Sequence, residues 1–198
     1  MVWSEQWSEI ALPRREEYRL RSIEERDLET VLLWRNSDRI RANMYTGHEI
    51  TRDEHQAWFE RHRSEPTPTV LVFEFRERPI GIVNVTQIDN HNGKCYWGFY
   101  IGDPEAPPGS GTALGYFGLN YIFDVLKIRK LCAEAFAFNV ASIKFHKKLG
   151  FVEEGLLARH VQKDGHYEDV IPFALFANDW MVHKIRIEAS CFKDEPPA

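Results

Sequence analysis

The sequence predicts an α+β domain centred on a mostly antiparallel sheet, and three observations carry the prediction. Three extended runs, Thr69 to Arg76 (TVLVFEFR), Pro79 to Ile88 (PIGIVNVTQI) and Lys94 to Ile101 (KCYWGFYI), follow one another with turn residues at Glu77-Arg78 and Asn90-His91-Asn92-Gly93, the pattern of a meander. The third run passes through Pro108-Gly109-Ser110-Gly111-Thr112-Ala113-Leu114 into a segment where Leu114, Phe117, Gly118, Tyr121, Ile122 and Val125 recur at helical spacing. Near the end, Leu156 to Lys163 and His166 to Ala177 flank Asp164-Gly165, a favoured hairpin turn.

The remaining elements follow in order. Residues 1–17 read as a polar arm in which Trp3 and Trp7 are available to dock. Residues 18–185 read as one folded domain and 186–198 as a polar tail. Tyr18 to Arg21 is a first strand. Glu25 to Arg35 is a helix with Leu28, Val31 and Leu32 inward, and Asp38 opens a short helix through Met44. Thr51 and Glu54 form a capping box for a helix to about Arg63, closed by Pro66 and Pro68. Lys130 to Phe138 is a strand. Asn139 to Leu149 is a helix stopped at Gly150, and Asn178 caps a short final helix.

Composition narrows the function classes. With 198 residues, 43% hydrophobic and 13% aromatic, the chain can bury a real core in one domain. A net charge of −5 argues against a nucleic-acid coat. Cys95, Cys132 and Cys191 show no CxxC spacing, which favours a reduced, cytoplasmic protein. The opening MVWSEQWSEI lacks a signal-peptide pattern, and no run approaches a membrane span. His55 and His62 sit seven apart without HExxH or a third ligand, so no metal is expected.

The glycine turn carries the first chemistry. Glycines let a ligand approach the backbone, and a helix start offers unpaired N–H groups with partial positive charge, a combination suited to a diphosphate. No Lys-Ser or Lys-Thr follows the glycines, so a phosphate-loop ATPase is excluded. The second motif runs from Asn139 to Phe151 (NVASIKFHKKLGF). Asn139 sits at a strand-to-helix junction, able to bond a ligand or cap the helix, and His146 follows two turns later on the same face.

Gly109-x-Gly111-Thr112-Ala113-Leu114 and Asn139-x-x-Ser142-x-x-x-His146-x-Lys148-x-Gly150-Phe151 together resemble the GCN5-related N-acetyltransferase superfamily, over roughly Tyr18 to Lys184. The resemblance implies an α/β sandwich, the acyl-CoA N-acyltransferase fold. Its mixed sheet would have about seven strands, flanked by helices and splayed between strands 4 and 5. It implies acetyl-CoA as cosubstrate and no metal. The diphosphate would lie on Gly109, Ser110, Gly111, Thr112 and Ala113, and the pantetheine on the backbone of Phe99, Tyr100 and Ile101. Asn139, Ser142 and Lys148 would complete the site. Two positions depart from the superfamily pattern: Ala106 replaces a usual Gln or Arg, removing a phosphate contact, and His146 replaces a frequent Tyr general acid. Imidazole titrates near neutrality, and a place in the last turns of a helix favours its charged form, so His146 is the expected proton donor to the leaving thiolate. Glu74 is a candidate base, as is water held by Asn84 or Thr86.

Trp34-Arg35-Asn36, Ile40-Arg41, Met44-Tyr45, Glu54-His55-x-x-Trp58, Tyr96-x-Gly98-x-Tyr100 and Asp164-Gly165-x-x-x-Asp169 resemble the branch that acetylates a UDP-linked 4-amino sugar in pseudaminic acid biosynthesis. The resemblance implies Arg35 and Arg41 on the diphosphate, with Met44, Tyr45 and Trp58 around uracil. His55, Thr86, Tyr96 and Tyr100 would bond sugar hydroxyls. The expected partner is thus a small molecule, neither nucleic acid nor membrane, with a homodimer left open. Alternatives are a ribosomal-protein N-terminus or a polyamine as acceptor, or a non-catalytic acyl-CoA-binding module.

Overall fold

The meander strands are apolar at nearly every position because helices cover both of their faces. The computed structural model describes residues 12–65 and 67–193; Trp3, Trp7 and Pro66 lie outside them. In chain order the elements are β1 (Tyr18–Ser22), α1 (Leu28–Asn36), α2 (Asp38–Arg41), α3 (Arg52–Arg63), β2 (Val70–Phe75), β3 (Arg78–Asp89), β4 (Lys94–Ile101), α4 (Ser110–Asn120), β5 (Lys130–Phe136), α5 (Val140–Leu149), β6 (Val152–Glu153), β7 (Leu157–Lys163), β8 (His166–Phe176) and α6 (Ala177–Cys191). The sheet order is β1-β2-β3-β4-β5-β8-β6, with β7 also pairing β8. Neighbours run antiparallel except β4 and β5, which are parallel.

Side-chain alternation divides the core. Val83, Val85, Trp97, Leu131, Ala133 and Phe173 face Leu114, Leu119, Leu149 and Trp180 of α4, α5 and α6. Val70, Val72 and Ile82 face Val31 of α1, with Trp34, Trp58 and Tyr100 packed around them. The second face therefore belongs to α1–α3, and the acceptor-site candidates sit there.

Several expectations hold in detail. Thr51 and Glu54 close their capping box, Glu54 N–H donating to Thr51 Oγ1 at 3.2 Å and Thr51 N–H to Glu54 Oε2 at 2.7 Å. Asp164 and Gly165 adopt φ of 49° and 83°, the left-handed pair a two-residue hairpin requires. Gly150 ends α5 at φ 98°, and a Cβ there would also lie 2.2 Å from the His183 ring.

The expected mixed sheet of about seven strands is present, with β6 and β7 as separate short strands on the same side of β8, Gly155 (φ 155°) lying between them. Two differences have physical causes. The final helix is not short: α6 runs 15 residues to Cys191, beginning after Phe176 rather than at an Asn178 cap. Its exposed Met181, Val182 and Ile185 blur the amphipathic pattern that would have revealed it. The tail expected from residue 186 is thus helix to Cys191, and Phe192 is buried against Tyr18, Tyr116 and Phe117.

Candidate active site

Between β4 and β5 the ladder stops early. Lys94 pairs with Lys130, Cys95 with Leu131 and Tyr96 with Cys132; beyond that point the parallel strands are unpaired. Trp97–Ile101 on one side and Ala133–Phe136 on the other therefore border a gap opening toward the glycine turn.

At that turn Gly109 adopts φ 89°, a left-handed conformation that makes glycine the residue of choice. Thr112 and Ala113 N–H donate to Gly109 O at 2.9 and 3.1 Å, and Ser110 N–H to Pro107 O at 3.1 Å. A cleft of about 350 Å³ lies against the turn, lined by Arg39, Ile101, Asp103, Ala106, Gly109 and Gly111 among others. A Cβ on Gly111 would touch only Phe145, at 4.0 Å, so the fold itself does not require glycine there. Lys148 Nζ donates to Thr112 Oγ1 at 2.8 Å, bringing a second cation to the turn. Arg39, whose Nη2 donates to Gly102 O at 2.8 Å, lines the same cleft as Ala106. It comes from α2, far away in sequence. The side chains of Ser110 and Ala113 face inward. Ser110 is 2% exposed with its hydroxyl beside Tyr18 OH, and Ala113 is turned into the core.

Asn139 spends its side-chain oxygen on the helix, accepting from Ser142 N–H at 3.0 Å. His146 is not the charged imidazole expected. It is 2% exposed, stacked on Phe173 at 5.0 Å and ringed by Trp97, Phe99, Phe145 and Phe151. Nδ1 lies 2.8 Å from Ser142 O, and Nε2 is buried without a partner. Burial lowers its pKa to about 4, outweighing the opposing hydrogen bond to the Ser142 carbonyl. At neutral pH the ring is uncharged, with Nδ1–H donating to the carbonyl and Nε2 able only to accept. An expected proton donor is thus a proton-poor acceptor.

On the α1–α3 face, Tyr96, Gly98 and Tyr100 line β4 at alternate positions. A methyl group on Gly98 would find no neighbour within 4 Å, so the strand is bare there. Tyr45 OH donates to Glu134 Oε2 at 2.6 Å, and burial followed by that carboxylate pushes the Tyr45 phenol up. Glu134 is the single charged residue inside the apolar run of β5, a signal legible in KLCAEAF but not used in the sequence reading. Arg35 Nη2 donates to Thr46 O at 3.0 Å, while its Nη1 is buried without a partner. Lys163, 9% exposed, reaches the carbonyls of Arg41 and Met44 at 3.3 and 2.9 Å and lies over the Phe136 ring. These contacts tie the segment after α2 across the acceptor face.

Other expected contacts are redirected. Trp58 is half-buried, stacked on His55 at 4.9 Å with His62 edge-on at 5.5 Å, and His55 itself is buried. Arg41 pairs with Asp38 at 2.7 Å. Thr86 lines a different cavity, of about 570 Å³, with His62, Glu65 and Thr69. Asn36 exchanges two 2.8 Å bonds with the backbone of Ile50, a structural staple. Glu74 is held by Arg19 at 2.6 Å and Arg21 at 2.7 Å on β2, away from the gap, and is not a base. Among the described residues no group of three or more His, Cys, Asp or Glu could hold a metal ion, and no helix is long and apolar enough to cross a membrane.

Known proteins share this architecture. The chain is 28% identical over 159 residues to the SPbeta prophage-derived uncharacterized N-acetyltransferase YokL of Bacillus subtilis, covering 79% of this chain and 88% of the relative. It is 24% identical over 152 residues to the spermidine N(1)-acetyltransferase of Vibrio cholerae, covering 76% and 88%. The crystal structure of the spermidine N-acetyltransferase from Vibrio cholerae in complex with CoA and spermine superposes with a TM-score of 0.77 at 21% identity, covering 84% of this chain and 99% of that one. Residues 18–152 match the family model of the Acetyltransferase (GNAT) domain. The splayed β4–β5 pair, the glycine turn and this match place the chain in the GNAT acetyltransferase family, whose members transfer acetyl groups from acetyl-CoA.

Proposed function

We propose that the protein acetylates the primary amine of a small molecule, with the donor entering the β4–β5 gap and the acceptor approaching over Gly98 from the α1–α3 face. The carrying observation is the loss of β4–β5 pairing after Tyr96 and Cys132, beside a glycine turn flanked by Arg39 and Lys148.

Acetyl-CoA supplies the acyl group as an activated thioester. The residues do the rest. The Gly111 amide at the start of α4, with Arg39, Thr112 and Lys148, holds the diphosphate. Backbone groups of Phe99, Tyr100 and Ile101 bond the pantetheine and polarise the thioester carbonyl. Glu134, oriented by Tyr45, takes a proton from the attacking ammonium so that nitrogen presents its lone pair. The N–C bond then forms, the nitrogen gives its second proton to water, the C–S bond breaks, and the departing sulfur takes a proton from solvent. His146, neutral and enclosed by Trp97, Phe99, Phe151 and Phe173, helps keep that side of the gap dry.

Two acceptor readings compete. The names of the relatives favour a polyamine. The sequence resemblance favours a UDP-linked amino sugar, and Arg35 and Tyr96 support it, although His55 is buried and stacked on Trp58. Thiol release by purified protein with acetyl-CoA, compared between spermidine and the UDP-linked 4-amino sugar, tests both. CoA binding with no thiol release on any amine would replace catalysis by a binding module.

A further inference from the structure

The tip of the β7–β8 hairpin does not point into solvent. Lys163 is the last residue of β7, paired with His166 across Asp164-Gly165, a place where a lysine ordinarily reaches into water. Here it is 9% exposed. Its Nζ donates to the carbonyls of Met44 at 2.9 Å and Arg41 at 3.3 Å, and lies 5.7 Å over the Phe136 ring. A Cβ on Gly47 would stand 3.7 Å from Asp164 Oδ1 and 3.8 Å from Lys163 Nζ, so the turn rests directly on the segment after α2. Residues 42–50 of that segment belong to no helix or strand, and side chains from elsewhere hold them.

Tyr45 lies between two of these clamps. The peptide plane that carries Met44 O also carries the Tyr45 N–H, so a bond to that oxygen fixes the direction in which residue 45 sets out. On the other side, Thr46 O accepts from Arg35 Nη2 at 3.0 Å. From this position Tyr45 sets its ring edge-on to Phe136 at 5.2 Å and its OH on Glu134 Oε2 at 2.6 Å. Glu134 and Phe136 alternate onto one face of β5, beyond Cys132, where pairing with β4 ends. Phe136 is thus a shared platform, with Lys163 over it and Tyr45 at its edge. An ammonium taken out of water costs stability that two carbonyls and a ring only partly return, and a methionine would fill the same space without that cost. What the lysine alone supplies is a grip on the Met44 carbonyl.

We infer that Lys163 is a positioning residue for the acceptor amine, acting from the hairpin tip through the Met44 carbonyl on Tyr45 and so on Glu134. The inference rests on the acetyltransferase reading. It adds to that reading a residue outside the stretch, 18–152, that matches the family model.

The test uses the full chain, acetyl-CoA and whichever of spermidine and the UDP-linked 4-amino sugar releases more thiol. Lys163→Met lowers kcat/KM for the amine by about tenfold, the worth of one charge-assisted hydrogen bond. KM for acetyl-CoA stays within about twofold and the melting temperature within a few degrees. Lys163→Arg, which keeps a cationic donor on a long stem, recovers part of the loss. Tyr45→Phe costs a similar factor, and adding Lys163→Met to it costs less than about twofold more, because both changes break one linkage. An amine kcat/KM unchanged in Lys163→Met, an equal loss toward acetyl-CoA, or two losses that multiply overturns the inference. A second readout needs no turnover. The amides of Asn43 and Met44, bonded to the carbonyls of Ile40 and Arg41, exchange with deuterium faster in Lys163→Met than in wild type, and Lys163→Arg restores their protection. Unchanged exchange also overturns the inference. If neither amine releases thiol, acetyl transfer to them fails; a Lys163-dependent exchange pattern then still upholds the anchoring of Tyr45, and its absence overturns it.

Discussion

His146 shows how much one side chain's surroundings decide. An imidazole held neutral by burial in the folded chain binds its proton readily once unfolded, so acid favours unfolding. Its folded pKa of about 4 lies below the ordinary value of 6.5. The stability that depends on a neutral ring is therefore full above pH 6.5 and is lost as pH falls toward 4. Between pH 7 and pH 5 the loss is about 2 kcal/mol. Urea titrations at the two pH values measure it, and in His146→Gln the difference shrinks by that amount. For the same reason a kcat profile shows no limb near pH 6.5 that His146→Gln removes. The sequence placed His146 on the correct helix and face. It could not show that Trp97, Phe99, Phe151 and Phe173, from three separate stretches, close around it.

At the scale of elements, local chemistry was legible wherever it was local. The capping box of α3, the Asp164-Gly165 hairpin and the Gly150 stop involve residues a few positions apart, and each formed as read. The turn between β2 and β3 formed one residue early, at Arg76 and Glu77, both left-handed without glycine, because strand pairing overrides the local preference. Arg39, Lys163 and Glu134 reach the site only through tertiary structure, and sequence spacing gave no sign that they meet. The glycine turn makes a direct prediction. Since a Cβ at Gly111 meets only one atom at 4.0 Å, Gly111→Ala keeps its melting temperature within a few degrees but raises KM for acetyl-CoA by about tenfold through crowding of the diphosphate. Arg39→Ala has a similar effect on acetyl-CoA and little on the acceptor, read by varying one substrate at a time.

The whole molecule separates stability from chemistry. Glu74 (2% exposed) binds Arg19 and Arg21, and Arg21 also grips Asp27, 3% exposed, at 2.6 Å. This network joins β1 and β2 to the segment entering α1 at the far edge of the sheet. Glu74→Ala leaves Arg21 half-paired in a dry site and costs about 3 kcal/mol in denaturant unfolding. The surviving folded protein keeps kcat, which a role as base would not allow.

The open sheet has one more consequence. From Trp97 to Ile101 every second peptide group faces the gap instead of a neighbouring strand, and the far edge of β5 is in the same condition. A slender amide-bearing chain laid there would complete the ladder as a surrogate strand. Deuterium uptake at those alternate amides should therefore be rapid in the empty protein and slow sharply once CoA is added, while the intervening amides, already bonded to β3 and β8, change little.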